Sequence, residues 1–229
     1  MSLSPLSDNL IEFVLEWTGI QLERGKQHLL EQRIIRLLDA NHLKNGDELA
    51  QKLKNNDPLI INQFLENITI NETFWFRDIG VFKTIGLVLE DLIKERKRIN
   101  VWSAACSYGQ EPYSIAMHCH QKGLQHSIKI FATDLDHKAI DTADKGFYNS
   151  FAINRGLDDQ LKKNYFTKKG EQWQINDEIR RMVNFKFMNL NNIQPLPEKA
   201  DIILLRNVLI YFSKDKKKEN LRKSRGEHE

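Results

Sequence analysis

The first part of the chain carries apolar residues at helical spacing. From Asp8 to about Ile68 they recur three or four positions apart, and the stretches TGI, KNGD and NNDP interrupt the series. Apolar residues at this spacing share one face of a helix, and Gly, Asn, Asp and Pro favour turns. The pattern predicts a small helical bundle with N-caps at Asp47 and Asp57. The apolar positions are Ile11, Val14, Leu15, Leu29, Leu30, Ile34, Leu37, Leu38, Leu49, Leu53, Ile60, Ile61, Phe64 and Leu65.

From about residue 70 the pattern changes to short apolar strands that alternate with helices. The predicted order is a helix over about 80–97, the strand INVWSA, a helix from Pro112, the strand SIKIFATD, a helix from about His137, and the strands VNFKFM and ADIILLRN. This alternation is typical of a parallel sheet covered by helices. The predicted fold class is therefore α/β, with an all-helical segment in front.

Composition narrows the class of protein. The chain has 229 residues, of which 41% are hydrophobic and 28% charged, and its formal net charge is +3. This balance is ordinary for a soluble globular protein. It argues against a dedicated nucleic-acid binder, because such proteins carry a larger excess of positive charge.

The cysteines and the first residues bear on the cellular compartment. Cys106 and Cys119 are the two cysteines, and neither belongs to a CxxC pair, so we expect neither a disulfide framework nor a zinc site. The start MSLSPLSDNL has no signal-peptide pattern, and no apolar run approaches the ~20 residues of a membrane span. We expect a cytoplasmic protein that does not insert into a membrane.

The stretch WSAACSYGQEP lies where a buried strand turns into a helix. Ligands of parallel sheets bind at such turns, beyond the carboxyl ends of the strands. Small residues over Ser103–Ser107 allow close approach to the backbone, Gly109 permits unusual dihedral angles, and Pro112 suits the first turn of a helix. GxGxxG is missing, however, and Glu111 stands where a phosphate prefers bare amides. The turn favours a positively charged ligand, unless Glu111 only complements the helix dipole.

The next strand ends in Asp134, about 25 residues beyond Gly109. An acid at this offset can accept hydrogen bonds from the two hydroxyls of a ribose. An Asp after a strand can equally be a helix cap, and Asp134 alone does not decide between the two. Together, Glu111 and Asp134 predict a nucleoside with a cationic substituent and no phosphate. S-adenosylmethionine has these features.

Five stretches together resemble the CheR family of chemotaxis receptor methyltransferases. They are NETFWFRD at 71–78, VWSAACSYGQEPYSIAM at 101–117, FATDLD at 131–136, NL at 189–190 and LLRNVLIYF at 204–212. They follow the family's order, and the likeness extends to about residue 213. The resemblance implies an N-terminal helical domain at 1–68, a linker with a cofactor-contacting motif at 69–79, and a class I, Rossmann-like methyltransferase domain at 80–229.

The resemblance also implies an activity. The family transfers a methyl group from S-adenosylmethionine to glutamate side chains of chemotaxis receptors, which gives glutamate methyl esters and S-adenosylhomocysteine. Two alternatives stay open at this point. One is an S-adenosylmethionine-binding regulatory or scaffolding module without turnover, and the other is a methyltransferase that acts on another signalling protein.

Site residues follow from matching the family's motifs position by position. The linker supplies Asn71, Thr73 and Arg77, Glu111 lies near the methionine end of the cofactor, and Asp134 is the ribose acid. Asn71 and Thr73 could instead be helix caps, and Asn189 a turn residue. The aromatic run 74–76 is interpreted as core. The remaining matches are Asn189, Leu190, Arg206 and Asn207 in the adenosine and methionyl pocket, with Arg77 and Tyr211 flanking the methyl-transfer site.

Two features concern the receptor. Lys26, Arg33 and Arg36 lie at helical spacing, and the resemblance implies that this basic helix docks on the acidic receptor; a solvated helix face is the alternative. The family also inserts a small antiparallel subdomain, for which 165–185 can supply a β hairpin with Gly170 near its turn. Members that bind a receptor pentapeptide tether carry a longer glycine-rich loop there, so we expect no tether.

The last residues depart from the family's pattern. The family continues past NVLIYF with further strands that complete its sheet, whereas this sequence ends at Glu229. The predicted sheet is therefore incomplete at its C-terminal side and leaves ADIILLRN at an uncovered edge. Either the chain is truncated, or a second copy or another protein covers this edge. Because exposed apolar edges favour association, we expect a homodimer through this edge or poor solubility.

Overall fold

The computed structural model describes residues 5–21 and 27–224. Four helices form the N-terminal part: α1 Asp8–Thr18, α2 Gln27–Ala40, α3 Gly46–Lys54 and α4 Pro58–Ile68. Their inward apolar side chains, among them Leu10, Ile34 and Phe64, are buried in one cluster. The predicted helical bundle is confirmed, and packing of these amphipathic faces supplies most of its stability.

One of the two predicted N-caps in the bundle is correct. The Asp57 carboxylate accepts hydrogen bonds from the backbone N–H groups of Leu59 and Ile60 at the start of α4. The prediction of Asp47 is wrong, because Asn45 caps α3 by accepting from the N–H of Glu48. The helix begins two residues earlier than predicted, which places Asp47 inside its first turn.

The second part of the chain alternates strands and helices as predicted. Its elements are α5 Ile79–Glu95, β1 Ile99–Ala104, α6 Gln110–Gln121, β2 Ile128–Asp134, α7 His137–Lys145, β3 Phe147–Asn149, α8 Ser150–Asn154, α9 Asp159–Tyr165, β4 Phe166–Lys169, β5 Gln172–Ile175, α10 Asp177–Arg180, β6 Val183–Phe187, β7 Ile202–Leu204, a 3₁₀ turn Leu209–Tyr211 and α11 Lys214–Ser224. No helix in the described ranges is long and apolar enough to cross a membrane.

The main sheet is parallel and has the strand order β6-β2-β1-β7. The carboxyl ends of its strands therefore meet at one edge, as an α/β ligand site requires. β7 is shorter than the predicted strand ADIILLRN, because the chain turns away after Leu204 and Asn207 takes a left-handed conformation with φ 58°. Among the described residues β7 pairs with β1 alone.

A second, antiparallel sheet has the order β3-β5-β4. The hairpin β4–β5 with Gly170 at its turn matches the prediction. The third strand, β3, was not predicted, because three residues carry too little periodicity to be recognised. Trp75 anchors the linker to this unit: it is fully buried and its ring contacts Tyr148 and Phe166 edge to face, which confirms the interpretation of this aromatic residue as core.

The linker also depends on one glycine. The backbone N–H of Trp75 donates to the carbonyl of Arg155 at 3.2 Å, and its indole Nε1 donates to the carbonyl of Ala152 at 3.0 Å. Gly156 follows with φ 102°, and a Cβ atom there would lie 2.1 Å from the Trp75 carbonyl oxygen. The backbone of the linker therefore lies against position 156 at a distance that only glycine permits.

We predict that Gly156→Ala lowers the free energy of unfolding by about 2 kcal/mol or more, since the new methyl group overlaps a backbone atom that cannot move alone. Gly170→Ala is the matched control. Gly170 also has positive φ, but a Cβ there would meet no atom within 4 Å, so we expect a loss of about 1 kcal/mol. Urea unfolding of both variants measures the difference, and equal losses would contradict the close approach.

Candidate active site

A cavity lies between the helical part and the carboxyl ends of the main sheet. It encloses about 350 Å³, within the range of roughly 300–1,000 Å³ typical of small-molecule sites. Its walls come from the end of α1, from α2, from the linker, from the turns after β1 and β2, and from the segments around 188–190 and 206–212. The structure brings every predicted site residue to this cavity: Asn71, Thr73, Arg77, Glu111, Asp134, Asn189, Leu190, Arg206, Asn207 and Tyr211.

The turn between β1 and α6 has the unusual backbone that its sequence predicts. Ala105, Ser107 and Gly109 all have positive φ, at 58°, 52° and 85°. A Cβ at Gly109 would lie 2.9 Å from the Cβ of Ala143, so this position requires glycine. Left-handed conformations at non-glycine residues are costly and persist where the surrounding structure holds them. The turn is therefore fixed in shape beside the cavity.

Asp134 is the acid that holds this turn. Its Oδ2 accepts the backbone N–H of Ser107 at 2.7 Å, and its Oδ1 accepts the N–H of Asp136 at 2.9 Å. Burial raises the pKa of Asp134 to about 6, although the backbone hydrogen bonds oppose the shift. The alternative of a helix cap is wrong for Asp134, because Asp136 caps α7. Each Asp134 oxygen keeps a further lone pair that can accept a hydrogen bond from a ligand.

Glu111 is not the unpaired negative charge that the sequence suggested. Its Oε1 accepts the Ser103 hydroxyl at 2.7 Å, and its Oε2 pairs with Nη1 of Arg206 at 2.9 Å. Burial raises the pKa of Glu111, while Ser103 and Arg206 act in the opposite direction. Arg206 also pairs with Asp78 at 2.7 Å. Because the charge of Glu111 is shared in this way, it does not by itself exclude a phosphate from the cavity.

Asp136 supports the site from behind without lining the cavity, and sequence reasoning missed this role. Its Oδ1 caps α7, whereas its Oδ2 accepts the amide of Asn71 at 2.5 Å and the hydroxyl of Thr69 at 3.2 Å. The carbonyl of Asn71 in turn accepts the hydroxyl of Ser107 at 3.2 Å. Asn71 is therefore not a helix cap. It ties the linker to the carboxyl end of β2.

Thr73 is likewise not a helix cap, since the residue that precedes α5 is Asp78. Thr73 lines the cavity beside Asn71.

The sequence signals only one of the two contacts of Asp136. An aspartate just before a predicted helix indicates a cap, but no local pattern indicates that its other oxygen accepts hydrogen bonds from Thr69 and Asn71.

The end of α1 closes the opposite side of the cavity, which sequence reasoning also missed. The side-chain amide of Asn189 donates to the carbonyl of Trp17 at 2.7 Å. The N–H of Gln21 donates to the carbonyl of Tyr211 at 2.8 Å. Asn189 also accepts the N–H of Asn191 at 2.9 Å, so its alternative interpretation as a turn residue holds alongside its place at the cavity. The last carbonyls of α1 have no partner within the helix, and the Asn189 amide supplies a donor to one of them, the carbonyl of Trp17.

Two parts of the chain match the models of one known protein family. Residues 71–226 match the family described as CheR methyltransferase, SAM binding domain, and residues 8–69 match its all-alpha domain. The chain belongs to the CheR methyltransferase family. The predicted resemblance is confirmed, and S-adenosylmethionine is the cofactor that this domain binds.

Similar proteins carry names that agree with the family. Chemotaxis protein methyltransferase 1 of Pseudomonas aeruginosa is 35% identical over 237 aligned residues, which cover 99% of this chain and 86% of that protein. Chemotaxis protein methyltransferase Cher2 of Pseudomonas putida is 36% identical, with 91% and 80% covered. Chemotaxis protein methyltransferase 1 of Vibrio cholerae is 36% identical, with 91% and 79% covered. These relatives support a methyltransferase that acts in chemotaxis.

The cavity of this CheR-family chain fits S-adenosylmethionine on two observations. The Asp134 carboxylate is 6% exposed and lies at the end of a central strand, where hydroxyl donors of a ribose would meet free lone pairs. Small residues at 103–107 leave the backbone of the turn open to a ligand. The family explains what the charge of Glu111 alone does not, namely why the ligand is a nucleoside without phosphate.

Arg77 stands at the cavity, and two carboxylates feel its charge: it adds to the effect of Arg155 that lowers the pKa of Glu72, and it opposes the burial that raises the pKa of Glu111. Its Nη1 donates to the backbone carbonyl of Glu72 at 2.9 Å, and its guanidinium lies 5.5 Å from the centre of the Phe74 ring. Within residues 5–21 and 27–224 no carboxylate forms an ion pair with it. An arginine of this kind has donors left for an incoming carboxylate.

The predicted docking residues of α2 lie in different environments. Arg33 lines the cavity and donates from Nη1 to the carbonyls of Asn67 and Thr69 at 3.2 Å, so its charge serves the end of α4. Arg36 is exposed, and among the described residues its side chain donates a hydrogen bond only to the carbonyl of Gln32 within its own helix. Lys26 lies outside the described residues. Docking through α2 stays a prediction, and Arg36 is the better residue to test it.

Proposed function

We propose that this protein transfers the methyl group of S-adenosylmethionine to glutamate side chains of chemotaxis receptors and so forms glutamate methyl esters. The observation that carries the proposal is the guanidinium of Arg77, which lines the cofactor cavity without a carboxylate partner among the described residues. An arginine fork can bind both oxygens of a carboxylate. The chemotaxis relatives support the receptor as the substrate.

Methyl transfer to a glutamate requires that the acceptor and the cofactor be positioned correctly, and it requires no general base. A glutamate side chain, with an ordinary pKa of about 4.3, is ionised at neutral pH. The bound cofactor supplies a methyl group that its sulfonium already activates. With the cofactor held by Asp134 and Glu111, the acceptor carboxylate oxygen would take the methyl group from the sulfur, and S-adenosylhomocysteine would be the product. Holding the reacting groups in line can contribute roughly 7–11 kcal/mol.

Each site residue receives a role in this proposal. Asp134 holds the ribose hydroxyls and Glu111 the cationic methionine end, while Arg77 orients the acceptor carboxylate and Tyr211 donates a hydrogen bond near it. Arg206 keeps Glu111 and the backbone of Arg77 in place, since its Nη2 donates to the Arg77 carbonyl at 2.7 Å. The other cofactor contacts are Asn71, Thr73, Asn189, Leu190 and Asn207.

The proposal also assigns parts of the chain to these tasks. Residues 1–68 form the helical domain, 69–79 the linker that closes over the cofactor, and 80–229 the methyltransferase domain. This division stays a prediction. It accords with the separate buried clusters of the described residues, of which one lies within the helical part and two lie within the α/β part.

Transfer of a tritiated methyl group to receptor cytoplasmic fragments tests the proposed function. We expect label on the fragment that is released as methanol by mild base, because base cleaves an ester and leaves methylated nitrogen intact. Label that resists base would contradict glutamate as the acceptor. Cofactor binding without any label would favour a regulatory module without turnover.

We predict that Arg77→Ala lowers kcat for receptor methylation about 100-fold, because the acceptor carboxylate loses its orientation. The Kd for S-adenosylhomocysteine changes by less than about threefold on the same reasoning. Radiolabel kinetics and isothermal titration calorimetry measure the two quantities. Arg181→Ala, at a 78% exposed arginine, is the control and leaves both unchanged. Equal losses of turnover and cofactor binding would contradict the role of Arg77.

Binding of S-adenosylhomocysteine should weaken as the pH falls through about 6, the pKa of Asp134. The ionised carboxylate accepts ribose hydroxyls, and protonation removes part of that capacity, so we expect about a tenfold loss between pH ~7 and pH ~5. Titration calorimetry measures the profile. Asp134→Asn should bind weakly at both pH values. A wild-type affinity that does not change over this range would contradict the assignment.

A further inference from the structure

Four side chains form one compact charged cluster beside the cavity, and two of them, Glu72 and Arg77, line it. The guanidinium carbons of Arg77 and Arg155 lie 5.5 and 4.7 Å from the centre of the same Phe74 ring. The carboxylate of Glu72 pairs with Nη2 of Arg155 at 2.7 Å. The backbone carbonyl of Glu72 accepts a hydrogen bond from Arg77 at 2.9 Å. We call these four residues, Glu72, Phe74, Arg77 and Arg155, the mouth cluster.

The mouth cluster is held by buried structure and not by the surface pairs alone. Arg155 lies 83 positions from Glu72 in the sequence. Its backbone carbonyl accepts the N–H of Trp75, whose ring is fully buried, and Gly156 fits against the same backbone. These buried contacts therefore fix the backbone of Arg155 beside the linker, even though its side chain is 40% exposed.

The ion pair between Glu72 and Arg155 is weak enough to be exchanged. The Glu72 side chain is 62% exposed, and exposed pairs contribute only about 0–1 kcal/mol. Arg155 is the main cause of the lowered pKa of Glu72. A second carboxylate arriving from solvent can therefore replace Glu72 on the Arg155 guanidinium at little net cost in free energy.

We propose that Arg155 is a second carboxylate-binding residue for the acceptor, and that Glu72 holds its guanidinium until an acidic receptor segment displaces it. The inference rests on the proposed function. Arg77 takes the glutamate to be methylated, and Arg155 takes another acidic residue of the same segment. Both guanidiniums lie over one ring, so acidic side chains that are neighbours on one segment can reach both. The partner is an acidic peptide segment with at least two carboxylates.

The mouth cluster should favour acceptor segments that carry two acidic residues over segments that carry one. A segment with a single glutamate would find one arginine still paired to Glu72, whereas a segment with two acids would satisfy both guanidiniums. The proposal places selectivity for acidic sequence context at the mouth and leaves the cofactor contacts unchanged. Variants at Arg155 should then alter KM for the acceptor and not the affinity for the cofactor.

A double-mutant cycle tests the proposal in the full chain. We expect Arg155→Gln to raise the KM for a receptor fragment about three- to fivefold, with kcat and the Kd for S-adenosylhomocysteine within about twofold. Glu72→Gln should lower KM by a similar factor at low salt, because it frees Arg155. In the Arg155→Gln background, Glu72→Gln should have no further effect. Arg181→Gln, which removes another arginine from a surface pair with Asp177, is the matched control.

The outcomes separate the proposal from its alternatives. If Glu72→Gln lowers KM equally with and without Arg155, Glu72 acts as a general repulsive charge and the proposal is overturned. If Arg155→Gln loses kcat and thermal stability together, Arg155→Lys decides. Lysine keeps the charge and the aliphatic stem but lacks the planar fork, so we expect a folded Arg155→Lys protein to have a KM between those of the wild type and Arg155→Gln. A folded lysine variant whose KM equals that of Arg155→Gln overturns the proposal.

The proposed function can fail independently. If the wild-type chain methylates no receptor fragment, glutamate methylation of receptors is wrong for this protein. Fluorescence anisotropy with a labelled acidic receptor peptide then still reads out the mouth cluster. We expect weaker binding by Arg155→Gln and tighter binding by Glu72→Gln; equal binding by all three proteins would overturn the inference alone.

Discussion

The site depends on two carboxylates at the end of one buried strand. Asp134 accepts backbone N–H groups from the turn after β1 and from its own strand end, and Asp136 accepts donors from α7 and from the linker. Both side chains are almost fully buried. Buried carboxylates are costly unless they are hydrogen-bonded, so the segments that supply these donors are held at fixed positions. Hydrogen bonds to these oxygens hold the linker, the turn after β1 and the start of α7 together.

The second constraint is a balance of charge inside the cavity. Glu111 shares its charge with Arg206, which also pairs with Asp78 and holds the carbonyl of Arg77. Removal of one partner from such a network leaves another charge buried without compensation, which is more costly than the pair itself is favourable. The network therefore links Glu111 to Arg77, the residues proposed to hold the cofactor and to orient the acceptor. Under this proposal, cofactor and acceptor are bound by parts of one hydrogen-bonded unit.

The features that could be predicted from the sequence are local ones. Small residues, one glycine and one proline within a few positions indicate the turn between β1 and α6. Asp134 is recognisable as the last residue of an apolar strand. The cavity residues themselves were identified by resemblance to the CheR family. The structure then collects them in one cavity.

What could not be predicted joins distant positions. Arg206 and Glu111 are 95 positions apart, and Asn189 and Trp17 are 172 apart. No periodicity or propensity signals which side chain will pair with which over such distances. The same reason hid the contribution of α1, and it hid the second oxygen of Asp136, because a cap pattern describes only the local contact. Sequence reasoning consequently overstated the free negative charge at Glu111.

The helical part is a wall of the active site and not an appendage beside it. Ile20 pairs with Phe212 across an isolated bridge, and Gln21 donates to the carbonyl of Tyr211. Gly19 permits this contact, since a Cβ there would lie 3.0 Å from the Phe212 ring. A displacement of α1 must therefore either move Tyr211 or break these contacts. Because methyl transfer depends on positioning, a partner that binds the helical part would, under the proposed function, act on the same geometry that aligns the acceptor.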